Sequence, residues 1–262
     1  MARNIVVTSG KGGVGKTTVT ANLGRALASL GQRVALIDVD FGLNNLDVVM
    51  GVESRVLYDI TDVIGGRCRL KQALVQDYEK KNLYILASGN LNTSVSMSGQ
   101  NLKLLVNNLS SVFDFVLIDC PAGIDLGFHR AVACADEALL IVTPCLSSLR
   151  DADKVLSILA SYKLDSTKLI INKVRGDLVI DKKTLSPKEI GQLLKTEIMG
   201  VLPEEDIVFL ANGRNLPARS ETSKAYKLLA KNLCYGTKKI MDLTNKYSGF
   251  WGSIKKGIKR SV

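Results

Sequence analysis

Short, nearly continuous apolar runs recur along the chain, at residues 5–7, 34–37, 83–86, 115–118, 138–142, 169–171 and 198–202. Runs of that length suit strands buried on both faces, and such strands need helices packed on either side. The stretches between them carry helical spacing. From Thr17 to about Leu30, Val19, Leu23, Ala26, Leu27 and Leu30 fall on one stripe. The pattern therefore predicts an α/β fold with a mostly parallel sheet covered by helices on both faces. Ligands on such sheets bind beyond the carboxyl ends of the strands, so the polar residues closing each run are the ones to examine. Residues 1–246 read as one domain, and 247–262 as a separate tail.

Composition narrows the class. With 262 residues and 46% hydrophobic content, the chain can fill the core of one large domain. Five scattered cysteines, with no Cys-x-x-Cys pair, point to reduced thiols in a cytoplasmic protein, not to a disulfide frame or a zinc site. No run approaches the roughly 18 apolar residues of a membrane span. The net charge of +10 suggests a polyanion partner, but its distribution is uneven. From Ser223 onward there are ten lysines and arginines against a single acid, Asp242, so nearly all of the excess lies near the C-terminus.

The first run is followed by Gly10-Lys11-Gly12-Gly13-Val14-Gly15-Lys16-Thr17-Thr18. Glycines at this spacing let consecutive backbone N–H groups turn toward phosphate oxygens, and the following helix presents its positive end to them. Lys16 reaches the outer phosphates, and the Thr17 hydroxyl is a ligand for Mg²⁺. The predicted ligand is a nucleoside triphosphate with its magnesium, which makes the fold a P-loop NTPase. Two further runs end in acids, Asp38-Val39-Asp40 and Asp119-Cys120-Pro121. An acid after several apolar residues fits a magnesium carboxylate, so Asp119 is assigned there, with Asp38 as a water-mediated partner. Asp40, two residues on and on the same side of an extended strand, is the candidate for activating the attacking water. His129 is read as an ordinary helix or surface residue.

The loop from Lys11 to Thr18 resembles the deviant Walker A motif of the MinD/ParA ATPases. Three stretches point to the septum-site-determining branch: Asp38 to Asp47, Asp119 to Ile124, and Ser147 to Asp153. The resemblance implies ATP as the nucleotide and an ATP-bound homodimer in which Lys11 reaches the partner's nucleotide. A cation supplied in trans can be worth roughly 10³–10⁵ in rate. It further implies catalytic roles for Lys11, Lys16 and Asp40, and adenine contacts from Asn172, Pro203 and Glu204. The nucleotide loop is then Lys11, Gly12, Gly13, Val14, Gly15, Lys16, Thr17 and Thr18, with metal contacts from Thr17, Asp38 and Asp119. Implied partners are a septation inhibitor (MinC-like), and an activator of the ATPase (MinE-like) or a polar adaptor. The sequence departs from the branch at Asn44, where arginine is usual, and at Cys145, where an acid is common.

The tail has a chemistry of its own. On a helical wheel, Tyr247, Phe250, Trp251, Ile254 and Ile258 share an arc of roughly 100°, with Lys255, Lys256, Lys259 and Arg260 opposite. An aromatic apolar face set against lysines is the composition of a helix lying in a membrane interface. A helix docked on its own core would also be amphipathic, but docking does not call for the cations. Phe250, Trp251, Ile254, Lys255, Ile258 and Lys259 are thus expected to bind anionic lipid, as a C-terminal amphipathic helix. One such tail binds weakly, while two on a dimer gain roughly 10²–10⁴ in avidity. The expected location is the cytoplasm and, peripherally, the cytoplasmic face of the inner membrane. Nucleic acid is not an expected partner. The alternatives are a ParA-like DNA-binding segregation ATPase and a MinD-like regulator of flagellar number.

Overall fold

The computed structural model describes residues 2–41, 45–89, 98–211 and 214–247. Its eight strands are β1 (Arg3–Thr8), β2 (Val34–Asp38), β3 (Val75–Gln76), β4 (Leu83–Leu86), β5 (Phe115–Asp119), β6 (Glu137–Val142), β7 (Ser166–Val174) and β8 (Ile198–Pro203). They form one sheet in the order β3-β4-β2-β5-β1-β6-β7-β8. Every pairing is parallel except β3 with β4. All seven apolar runs became strands. The two-residue β3, too short to leave a hydrophobic pattern, was not foreseen.

The continuous apolar runs are explained by the two faces of the sheet. Val6, Ile37, Val116, Ile118 and Leu140 point into a core closed by helices Gly99–Ser110, Leu126–Val132 and Leu146–Leu159. Their neighbours Ile5, Val7, Leu36, Leu117 and Leu139 point the other way, against helices Lys16–Ser29 and Glu221–Tyr235. Successive strand side chains alternate faces, so a strand covered twice has no polar position to spare. Two of these helices begin at serine caps, with Ser98 and Ser220 accepting from the N–H of Asn101 and Ser223. From β1 the chain crosses to β2 on one side, while β6 lies on the other. The crevice that opens at the carboxyl end of β1 is a topological switch point, and the glycine-rich loop fills it.

The C-terminal segment is tied down as far as it is described. Lys246 pairs with Glu221, the first residue of the last long helix. Tyr247 is buried beside Gly176. The helical wheel counted Tyr247 with the tail's apolar face, whereas in the structure it closes the body. Residues 248–262, including Phe250, Trp251, Ile254, Lys255, Ile258 and Lys259, lie outside the described residues, as does Asn44.

Candidate nucleotide site

The loop between β1 and helix Lys16–Ser29 is held by contacts on three sides. At Gly10 a Cβ would sit 2.6 Å from the backbone of Asp151, so only glycine lets the loop rest on helix Leu146–Leu159. Gly15, the N-cap of helix Lys16–Ser29, has φ +95°. A Cβ there would lie 2.6 Å from Nδ2 of Asn172. That amide donates to the Val14 carbonyl at 2.8 Å. Beside it, Lys173 Nζ donates to the Gly13 carbonyl at 2.9 Å, from a backbone with φ +56°. Two consecutive residues at the end of β7 thus grip two consecutive carbonyls of the loop. With its carbonyls engaged from behind, the loop leaves its N–H groups for an anion.

The inner rim of the loop is buried. Lys16 is 9% exposed, and Asp38 and Asp119 are each 1% exposed. The two aspartates are register partners at the ends of β2 and β5. Asp119 accepts from the Thr20 hydroxyl at 3.1 Å and from the Thr17 hydroxyl, with Lys16 nearby. Burial and the neighbouring Asp38 push the Asp119 carboxyl up to about 7. Burial likewise raises Asp38 to about 6, although it accepts the N–H groups of Asp40 (2.9 Å) and Leu46 (3.2 Å). Two carboxylates held side by side in a dry pocket disfavour each other's charge, and a bound cation reverses that balance. The donor set of Thr17, Asp38 and Asp119 is all oxygen, which suits Mg²⁺.

The outer rim is open. Lys11 is exposed, and its Nζ reaches Ser147 Oγ at 3.3 Å, near the start of helix Leu146–Leu159. Cys145 is the residue that precedes that helix, and its thiol lies 3.2 Å from the same hydroxyl. Hydrogen bonds from Ser147 and Ser148 lower the Cys145 pKa. A cleft of about 360 Å³ follows this rim, lined by Lys11, Gly13, Cys145, Lys173, Arg175 and Glu204. The Glu204 N–H donates to the Val174 carbonyl at 3.1 Å, and Val174 is the register partner of Pro203. The structure therefore gathers Lys11 to Thr18, Asn172, Pro203 and Glu204 around one crevice.

The reasoning about Asp40 needs correction. Strand β2 ends at Asp38, whose carboxylate takes the N–H of Asp40 and turns the chain. Strand alternation does not extend to Asp40, so its place near Asp38 comes from that turn. Sequence reasoning also assigned no role to Thr20, Ser147 or Lys173. Thr20 carried a usable signal, standing four residues after Lys16 on the stripe that faces the sheet. Lys173 carried only its position next to Asn172. His129 is half-buried, and its Nδ1 lies 2.5 Å from the Tyr162 hydroxyl, a contact between helix Leu126–Val132 and the turn after helix Leu146–Leu159.

Comparison with known proteins agrees with this geometry. A family model described as the CobQ/CobB/MinD/ParA nucleotide binding domain matches residues 5–218. The chain is 39% identical over 261 residues to the septum site-determining protein MinD of Bacillus subtilis (strain 168), covering 97% of each. Among solved structures it resembles the MinC:MinD cell division protein complex of Aquifex aeolicus, with TM-score 0.84 and 40% identity. That match covers 92% of this chain and 98% of the other. It also resembles the septum site-determining protein MinD of Pyrococcus horikoshii OT3 complexed with Mg-ADP, with TM-score 0.81 and 31% identity. Here the shares covered are 90% and 97%. The chain belongs to the MinD branch of the MinD/ParA nucleotide-binding family.

Proposed function

We propose that this protein is a magnesium-dependent ATPase that pairs with a second copy of itself when ATP is bound. In that form it lies on the cytoplasmic face of the inner membrane through residues 248–262, and it acts in placing the division septum by recruiting an inhibitor of septation. The observation that carries the nucleotide chemistry is the contrast within one loop: Lys16 buried beside Asp119, and Lys11 exposed at the rim. Lys16 and the loop N–H groups hold the phosphates. Bound magnesium supplies charge neutralisation at the outer phosphates, where Thr17, Asp38 and Asp119 would hold it. Asp40 orients the attacking water, and Lys11 of the opposing copy meets charge that develops on the transferred phosphoryl group. The septation role is carried over from a relative named for septum-site determination and the partner from the MinC:MinD complex, while the reading of that partner as an inhibitor comes from the sequence resemblance.

Turnover and sedimentation with liposomes test this reading together. ATP, but not ADP, should bring the protein down with anionic vesicles, and Asp40→Ala should bind ATP without hydrolysing it. Equal recovery in both nucleotides would refute the coupling of dimerisation to the membrane. Retained turnover in Asp40→Ala would remove that residue from the chemistry.

A further inference from the structure

The body carries a second basic surface beside the root of the tail. In helix Glu221–Tyr235, Thr222, Ala225, Tyr226, Leu229, Ala230 and Leu233 are buried against the sheet. At 100° per residue the exposed residues Lys224, Lys227, Lys231 and Tyr235 fall on the opposite side, within an arc of about 80°. Among the described residues none of these three lysines is in an ion pair, whereas Lys238 and Lys246 are bound to Glu197 and Glu221. Past the Gly236 cap Lys239 and Ile240 are also exposed, with the Lys239 backbone bonded to the Asn232 side chain. The row starts near where the tail departs. The Lys246–Glu221 pair fixes the last described residues at the N-terminal end of this helix, about 40° of the helical wheel outside the edge of the lysine arc. From Lys224 to Lys231 the row spans about 10 Å.

We infer that this outer helix face is a second contact for anionic phospholipid headgroups, laid on the same bilayer as the tail. The inference rests on the membrane reading of residues 248–262 and adds to it an orientation of the body. Three arguments favour a lipid surface as the occupant. Lys224, Lys227 and Lys231 form a row with no acid between them in the sequence. The last described residues sit at the N-terminal end of the same helix, one turn from Lys224. Exposed Tyr235, on the same arc, supplies an aromatic edge that suits a headgroup boundary. A polybasic surface near anionic lipid gains about fivefold in partition per lysine, so three lysines are worth roughly a hundredfold at low salt. A tail alone would leave the body free to swivel, while a tail with this helix face holds it in one pose.

The test uses full-length, ATP-loaded protein on vesicles of phosphatidylglycerol and phosphatidylcholine. It compares wild type, the triple variant Lys224→Gln, Lys227→Gln, Lys231→Gln, and a chain ending at Tyr247. Lipid-free ATP turnover serves as the control for folding and should match wild type in the triple variant. The triple variant should bind anionic vesicles roughly a hundredfold more weakly, with the gap closing as salt is raised. Wild-type binding by the triple variant, with binding lost on truncation, would overturn the body contact and leave the tail reading intact. Undiminished binding by the truncated chain would overturn the tail reading itself. If the triple variant lost affinity only for duplex DNA, the row would be a nucleic-acid surface and the proposal would fail.

Discussion

The two rims of the phosphate-binding loop are built from the same few residues and are finished to different degrees. On the inner rim, Asp119 accepts from the Thr17 and Thr20 hydroxyls with Lys16 nearby, and Asp38 takes two backbone N–H groups. Lys16, Thr20, Asp38 and Asp119 are all buried. On the outer rim, Lys11 reaches a serine hydroxyl at 3.3 Å and is exposed among the described residues. A charge in water is screened and does little for a reaction, whereas the same charge in a dry cleft is worth far more. The inner rim can bind nucleotide in a single copy. In the proposed dimer, the outer rim is covered by a second surface, and its lysine acts only there.

Lys11→Ala should break that division most sharply. Turnover should fall by about 10³–10⁵ while ATP affinity stays within a few-fold of wild type, because the lost cation serves the transition state and not the bound ground state. Equilibrium binding of a fluorescent ATP analogue beside a phosphate-release assay reads both quantities. A parallel loss of affinity would place Lys11 on the binding side and erase the distinction.

Gly15→Ala attacks the inner rim through its backbone. The new Cβ must adopt the left-handed region and also displace the Asn172 amide from its 2.6 Å approach. The left-handed conformation alone costs about 1–2 kcal/mol, and loosening the grip on the Val14 carbonyl adds to it. ATP affinity should fall by about a hundredfold. An affinity within threefold of wild type would mean that the loop tolerates movement the packing denies.

The acids of the inner rim give a pH signature. Asp119 and Asp38 hold their protons up to about 7 and about 6, above the ordinary 3.8. Between those values the folded chain binds more protons than the unfolded one, so stability of the nucleotide-free protein falls as pH rises from about 4 to 7. Asp119→Asn removes the charge that causes this. It should raise the melting temperature of the nucleotide-free protein at pH 8 by several degrees, on the order of 1–3 kcal/mol, while abolishing turnover. Mg-nucleotide should likewise stabilise wild type more at pH 8 than at pH 6, because metal and proton compete for the same oxygens. A melting temperature for Asp119→Asn below wild type at pH 8 would contradict the raised value.

How these rims could be foreseen differs along the same lines. The inner rim was legible because its chemistry follows apolar runs directly: Asp38 and Asp119 each close a strand whose burial the pattern already implied. The glycine spacing named the ligand class because close backbone approach leaves a residue-type signature. Asp40 was placed by extending strand alternation one step too far, since the carboxylate that ends β2 is what bends the chain. The grip of Lys173 on Gly13, and of Ser147 on Lys11, joins residues more than 130 positions apart. Such contacts depend on the strand order β1-β6-β7, which local patterning does not encode. The two-residue β3 left no period to detect.

Lys173 offers the finest measure of how far the outer rim supports the loop. Its side chain is exposed, so its bond to the Gly13 carbonyl should contribute only about 0.5–1.5 kcal/mol. Lys173→Ala keeps the left-handed backbone and loses the bond. Lys173→Gly also loses the bond but relieves about 1 kcal/mol of strain. Both should raise the KM for ATP by about threefold to tenfold, with kcat little changed, since the grip shapes the resting loop. Lys173→Arg keeps a cationic donor and should stay near wild type. Thermal melts then separate the two losses, with glycine more stable than alanine by about 1 kcal/mol. If alanine and glycine left KM unchanged, the 2.9 Å contact would be a surface accident, and Asn172 alone would hold the loop to β7.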